Sequence, residues 1–262
     1  MKKQLKMKDK MRQRSLFVDE RSLFEKLCYQ SNLQAGFRAV KKNGGSPGID
    51  GVTIEEFGSR LEEELFQLQL EIASWNYKPS PVRRVEIPKP GKGAGVRLLG
   101  VPCTRDRVIH ATLKLLLEPI LDPIFSDHSY GFRPGYSQRQ AVESAQQIVK
   151  SGKEYVVDID LSKFFDRVNH DRLIYLLSAH IEDKRILRLI GMILRSGIMK
   201  DGMVIRNEEG TPQGSPLSPL LSNVVLDELD KELERRELEF CRFADDCVPR
   251  RRTQVCKVAH PV

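Results

Sequence analysis

The sequence predicts an α+β fold in which a small antiparallel sheet is backed by helices. Three observations carry this. After a basic arm, apolar residues at helical spacing mark two helices between Leu33 and Leu68. A pair of basic, β-type runs around a glycine-rich turn follows at 81–102. The remainder then reads strand–helix–helix–strand–helix–strand, an order suited to helices packed on a small sheet. At 262 residues, 40% hydrophobic and 30% charged, the chain can hold one large domain or two small ones around a real core.

Leu33, Phe37 and Val40 repeat at helical spacing, and the run Lys41-Lys42-Asn43-Gly44-Gly45 ends that helix. SPGIDG, residues 46–51, is a loop. Thr53 and Glu56 have capping-box spacing and open a helix carrying Phe57, Leu61, Leu65 and Leu68 on one face. RRVEIPK and VRLLGVP flank PGKGAG as a hairpin with basic strands. Residues 105–121 read as a mostly buried helix. Ser137 and Gln140 form a second capping box, with Gly152 just beyond that helix. EYVVDIDL, residues 154–161, is an apolar run of strand length ending in acids. Helices at about 170–181 and 184–196 follow. The strand GMVIRN and the loop EEGTPQGSPLSP come next, and Leu221, Val225, Leu229 and Leu233 mark one face of the helix after them. EFCRFADDCV is again strand-like.

The net charge of +7 is unevenly spread: residues 1–14 carry +6, residues 249–262 carry +4, and the body between them −3. A basic chain suits a polyanionic partner, although basic tails also serve as solubilising arms. No stretch approaches the roughly 20 apolar residues that span a bilayer. The basic N-terminus has no apolar segment behind it, so no signal peptide is read. The five cysteines are scattered without C-x-x-C spacing, which points to a reducing, cytoplasmic setting and away from zinc or a disulfide framework.

Three acids stand out: Asp160 at the end of one strand, and Asp245 and Asp246 at the tip of another. A carboxylate beside an apolar strand needs a reason. Mg²⁺ is a hard cation bound by one or two carboxylates together with substrate phosphates. Two such ions can clamp the attacking and leaving oxygens of a phosphoryl displacement. Taken alone, the Ala-Asp-Asp run reads better as a simple β-turn, where Asp is favoured.

The run does not stand alone. FADD at 243–246 resembles the Y/F-x-D-D box of reverse transcriptases, and VVDIDLSKFFDRVNHDRL at 156–173 resembles their first palm motif. GTPQGSPLSPLLSNVVLDELD at 210–230 is similar to the corresponding box of the group II intron-encoded reverse transcriptase/maturase family. GSPGIDGVT, IPKPGKGAGVRLLGVP and YGFRPGYS resemble that family's earlier blocks, in the same order. The resemblance implies a right-hand fold: fingers and most of a palm, with the thumb absent.

It further implies that Asp160, Asp245 and Asp246 are catalytic and hold two Mg²⁺ ions, with Asp158 competing for the first position. The family pattern sets that acid five residues before the second Phe of KFF, which selects Asp160. Phe165 then matches the aromatic lying under the incoming sugar, and a core Phe is its ordinary alternative. Lys89, Arg97 and Gln213 match dNTP-binding positions. Arg133 matches a basic position of the family that is structural or near the template, and Pro212 and Gly214 match positions near the template. Tyr136 departs from the family, which usually has a basic residue there. The implied partners are an RNA template (group II intron RNA), a DNA primer and dNTPs, in a bacterial or organellar cytoplasmic ribonucleoprotein, with no membrane. The implied activity is RNA-directed DNA polymerisation with help to intron splicing. The alternative is an RNA-binding splicing cofactor without polymerase activity, and a third reading is a relic that cannot fold alone.

The expected domains are a basic arm (1–20), a fingers region with helices shared with the palm (21–152), a palm region (153–248) and an aberrant or disordered basic tail (249–262). Pro249 and three consecutive arginines fit a buried strand poorly. The expectation is therefore a truncated reading frame with a frameshift near Cys247.

Overall fold

The computed structural model describes residues 21–88, 96–151, 155–157, 159, 161, 164–200, 202–205, 207–212 and 214–251. The basic arm, Gly152, Asp158, and the last eleven residues of the expected tail lie outside these. α1 (Leu23–Leu27) opens on a capping box in which Ser22 accepts from the Glu25 amide and the Glu25 carboxylate accepts from the Ser22 amide. α2 (Gln30–Asn43) buries Leu33, Phe37 and Val40 and ends at Gly44 with φ +66, where glycine carries no Cβ penalty. The Thr53–Glu56 capping box forms. Its helix is broken at Arg60 into α3 (Ile54–Ser59) and α4 (Leu61–Ala73). Gly58, near the break, lies against the Phe37 ring, which a β-carbon would approach to 3.1 Å.

β1 (Val82–Pro88) and β2 (Val96–Val101) form the expected antiparallel hairpin. α5 (Thr104–Leu121) is the central helix, with Val108, Ile109, Leu113, Leu117 and Leu121 all buried. The larger of two apolar clusters among the described residues surrounds it. Leu33 and Phe37 enter that core from α2, Leu65 and Leu68 from α4, and Leu221 and Val224 from the later long helix. α6 (Gln138–Lys150) starts at Ser137, whose hydroxyl accepts from the Gln140 amide. The capping box there is only half formed: Ser137 Oγ donates to Gln140 Oε1 at 2.9 Å.

β3 (Tyr155–Val156), α7 (Phe164–Arg167), α8 (His170–Ser178) and α9 (Lys184–Leu194) follow. Next come β4 (Ile198–Lys200), β5 (Met203–Ile205), α10 (Ser218–Arg235), β6 (Glu239–Phe243) and β7 (Asp246–Arg251). The α+β class holds, but the strands form two sheets, ordered β2-β1-β4-β5 and β3-β7-β6. The GMVIRN segment does not join the acidic strands. With β4 it extends the basic hairpin, β4 running parallel to β1 through Val82↔Ile198 and Arg83↔Met199. Gly197, at φ +84, turns the chain into this pairing, and its carbonyl accepts from the Val82 amide at 3.0 Å.

The strand after the two aspartates also differs from expectation. β7 continues through Pro249 to Arg251, between β3 and β6. The Pro249 carbonyl accepts from the Val157 amide at 3.0 Å, so Pro249 directs its backbone polar groups toward the β3 side. Its missing N–H costs one bond on that side and none to β6, which is why a proline is tolerated in a central strand.

α10 buries more than the apolar face read from sequence. Leu221 and Leu233 are buried and Val225 and Leu229 half-buried, but Ser222, Asn223, Asp227 and Asp230 are buried as well. Among the described residues, no helix is long and apolar enough to cross a membrane.

Candidate active site

β6 and β7 are joined by a tight turn: Phe243 pairs with Asp246, leaving Ala244 and Asp245 at the tip. Ala244 adopts φ +59, a conformation that tight hairpin turns demand and that strains a non-glycine residue by about 1–3 kcal/mol. The Asp245 side chain is half-buried and that of Asp246 exposed. Cys247 anchors the turn from below, its amide and carbonyl exchanging hydrogen bonds with Ile159 at 3.4 and 2.9 Å. Ile159 directly precedes Asp160, which lies outside the described residues.

Phe165 stands in the short α7, edge-on to Phe164 at 5.5 Å between ring centroids. The GTPQGSP loop is docked on it. The Thr211 amide donates to the Phe165 carbonyl and the Gly210 amide to the Val168 carbonyl, each at 2.7 Å. Gly210 is at φ +87, and a β-carbon there would come within 2.9 Å of the Phe165 and Asp166 backbone. Gly214, at φ +120, approaches the Gly100 carbonyl, which a β-carbon would meet at 2.7 Å. The loop thereby bridges the β1–β2 pair and the α7 segment.

Between them lies a cleft of about 440 Å³ whose wall includes Arg84, Leu99, Gly100, Phe165, Arg167 and Pro212. The structure thus brings Phe165 and Pro212 together. Asp245 and Asp246 are not among the described residues of this wall. Lys89 and Gln213 lie outside the described residues. Arg97 is placed by its pairing with Ile87.

Arg133 lies between α5 and α6. Its guanidinium is buried, with Nε donating to Asp122 Oδ1 at 2.8 Å, Nη1 to the Ser126 and Ser129 carbonyls, and Nη2 to the Asp122 carbonyl. Tyr136, the family departure, stacks against it, with the guanidinium carbon 4.2 Å from the ring centroid. These contacts tie Arg133 into the 122–136 loop.

Sequence reasoning missed Arg242. It is fully buried in β6, with an ion pair to the equally buried Asp230 of α10. Burial pushes the Asp230 carboxyl up, against the pull of its hydrogen bonds from Arg242. The available signal was an arginine inside the largely apolar run EFCRF.

The donor set at the turn suits a hard cation. Asp245 and Asp246 offer only carboxylate oxygens, the donor type Mg²⁺ takes. The adjacent Cys247 is fully buried, and burial pushes its thiol up to about 12. Among the described residues there is no group of three His, Cys, Asp or Glu side chains placed to hold a metal ion.

Residues 87–250 match the family model described as reverse transcriptase (RNA-dependent DNA polymerase). The chain is 37% identical to Protein YkfC of Escherichia coli (strain K12) over 201 residues, which cover 75% of this chain and 52% of that protein. It is 33% identical to the Group II intron-encoded protein LtrA of Lactococcus lactis subsp. cremoris over 201 residues, 77% of this chain and 33% of that one. It therefore spans about half the length of the first relative and a third of the second. A chain of the solved "Partial Cas6-RT-Cas1--Cas2 complex" matches with a TM-score of 0.57 and 27% identity, covering 90% of this chain and 39% of that chain.

Proposed function

This chain belongs to the reverse transcriptase (RNA-dependent DNA polymerase) family, and from that premise we propose that it carries the fingers and palm of a group II intron-type RNA-directed DNA polymerase. The observation that supports this most directly is the hairpin tip Ala244-Asp245-Asp246, hydrogen-bonded through Cys247 to the segment that leads into Asp160.

In this reading Asp160, Asp245 and Asp246 hold two Mg²⁺ ions, which when bound stabilise charge on the attacking and leaving oxygens of an in-line displacement. The oxygen of the primer 3′-hydroxyl, losing its proton, bonds to the α-phosphorus of a dNTP as the bond to pyrophosphate breaks. Lys89 and Arg97 bind the triphosphate, Lys as a point charge and Arg as a planar fork. Phe165 lies under the sugar and bars a 2′-hydroxyl. Gln213 lines the nucleotide pocket, and Pro212 and Gly214 shape the turn facing the template. The template is RNA, a group II intron transcript, and the same protein aids its splicing by binding it through shape and phosphate contacts.

Primer extension tests the reading: the chain, a DNA primer annealed to RNA, dNTPs and Mg²⁺, with Asp245→Asn/Asp246→Asn as control. Extension that disappears in the control supports it. Template binding that survives in both proteins, with no extension in either, overturns polymerase activity in favour of an RNA-binding splicing cofactor.

A further inference from the structure

The Arg242 guanidinium is saturated. Nε donates to Asp230 Oδ1 at 2.7 Å, and Nη2 to Asp230 Oδ2 at 2.6 Å and Ser129 Oγ at 2.7 Å. Nη1 donates to Asn223 Oδ1 at 3.0 Å and to the Ala244 carbonyl at 2.9 Å. An arginine has five N–H donors, and all five are used in a fully buried site. Four of these bonds fix the fork to α10 and to the 128–131 segment. The fifth reaches the backbone of the left-handed residue that precedes Asp245.

The same turn is held from its other side. The Asn223 amide group donates to the Gly131 carbonyl at 2.9 Å. Gly131 lies so close that a β-carbon would stand 2.2 Å from the Ala244 amide nitrogen. The strand itself is pinned, the Arg242 amide donating to the His128 carbonyl and the Tyr130 amide to the Arg242 carbonyl, both at 2.9 Å. A buried ion pair is rarely retained for stability alone, since apolar residues of equal volume often do as well. A fork that grips a strained carbonyl gives this pair a further use, because strained backbone persists only where its surroundings over-determine it.

We propose that Arg242, fixed by Asp230 and Asn223, is a positioning residue for the metal-binding carboxylates: it locks Ala244 in its left-handed conformation and so presets the direction of Asp245 and Asp246. Preorganised ligands bind an ion without the cost of ordering them. The inference rests on Asp245 and Asp246 being metal ligands, as proposed above.

The test is Mn²⁺ binding to the full chain, followed by the loss of the free-ion electron paramagnetic resonance signal. The proteins are the wild type, Arg242→Lys, Arg242→Lys/Ala244→Gly and Asp245→Asn/Asp246→Asn, with circular dichroism to establish folding. Arg242→Lys is expected to bind Mn²⁺ about tenfold more weakly, a change of about 1.4 kcal/mol. Glycine adopts positive φ without penalty, so Ala244→Gly in that background is expected to bring affinity back to within about threefold of wild type. A role confined to core packing would not be rescued in this way. If Arg242→Lys does not fold, Asn223→Ala, which removes one of the two acceptors on Nη1, is expected to weaken Mn²⁺ binding in the same direction. Wild-type affinity in a folded Arg242→Lys or Asn223→Ala protein, with binding still lost in the double aspartate variant, overturns the positioning role alone. Mn²⁺ binding indifferent to Asp245→Asn/Asp246→Asn overturns the site assignment and the positioning role with it.

Discussion

Ser215, in the loop that bridges fingers and palm, shares a buried hydrogen bond of 2.9 Å with Nδ1 of His110 on the central helix. The other ring nitrogen, Nε2, has no partner among the described residues. Burial, helped by the nearby Arg107 charge, lowers the His110 pKa to about 3. The folded protein therefore resists a proton that the unfolded chain accepts near pH 6.5. This contribution to stability is complete above that pH and is lost as the pH falls toward 3. Between pH 7 and pH 5 the loss is about 2 kcal/mol. Thermal melts across this range are expected to show a falling Tm, and His110→Gln is expected to flatten the slope. A wild-type Tm that does not change from pH 7 to pH 5 would contradict it.

Gly36 is where α2 crosses α5. A β-carbon there would stand 2.1 Å from Thr112 Oγ1 and 2.7 Å from the Val108 carbonyl. The carbonyl belongs to a helix backbone and cannot yield cheaply. Gly36→Ala is expected to cost about 3 kcal/mol, read as a drop of about 10 °C in Tm. Gly51→Ala is the contrast, because its φ of +70 brings strain without any neighbouring atom within 4 Å.

Arg133→Met separates a structural arginine from one that touches nucleic acid. It removes the guanidinium from the Asp122 carboxylate and the Ser129 carbonyl, while the Ser126 carbonyl keeps the Ser129 amide as donor. A loss of about 3 kcal/mol is expected on chemical denaturation. The salt dependence of RNA binding should be unchanged, since no phosphate contact is removed. A slope reduced by about one would return Arg133 to the template.

Phe165→Val tests the sugar contact. The smaller side chain opens space in the cleft shared with Leu99 and Pro212. Incorporation of rNTPs relative to dNTPs is expected to rise by at least about tenfold, with dNTP use reduced far less. Equal losses for both nucleotides would make Phe165 an ordinary packing residue.

Local signals were legible and distant ones were not. The capping residues Thr53 and Glu56, the buried face of α5 and the acidic hairpin tip could be read because each depends on neighbours within a few positions. Arg242 could not be interpreted in the same way. Its partners Asp230, Asn223 and Ser129 come from other elements, and a charge in an apolar strand does not reveal its counter-charge. Pro249 misled for a related reason. It argues against a central strand only if its nitrogen faces a neighbour that needs a donor, and that depends on which side of β7 it turns to. Arg133 carried a pattern but not its burial. Asp160, Lys89 and Gln213 lie outside the described residues and remain proposals from their motifs.

The parallel contact between β1 and β4 joins segments separated by more than one hundred residues of chain. During synthesis the basic hairpin leaves the ribosome long before β4 exists, so its β1 edge stays open while most of the palm is still being made. Completion of the fingers sheet thus waits for translation to pass residue 205, and the bridging loop that docks on Phe165 emerges immediately afterwards. The two halves of the cleft are therefore timed to close together, and a synonymous change that slows translation just before that point prolongs the interval in which an exposed strand edge can pair with another nascent chain.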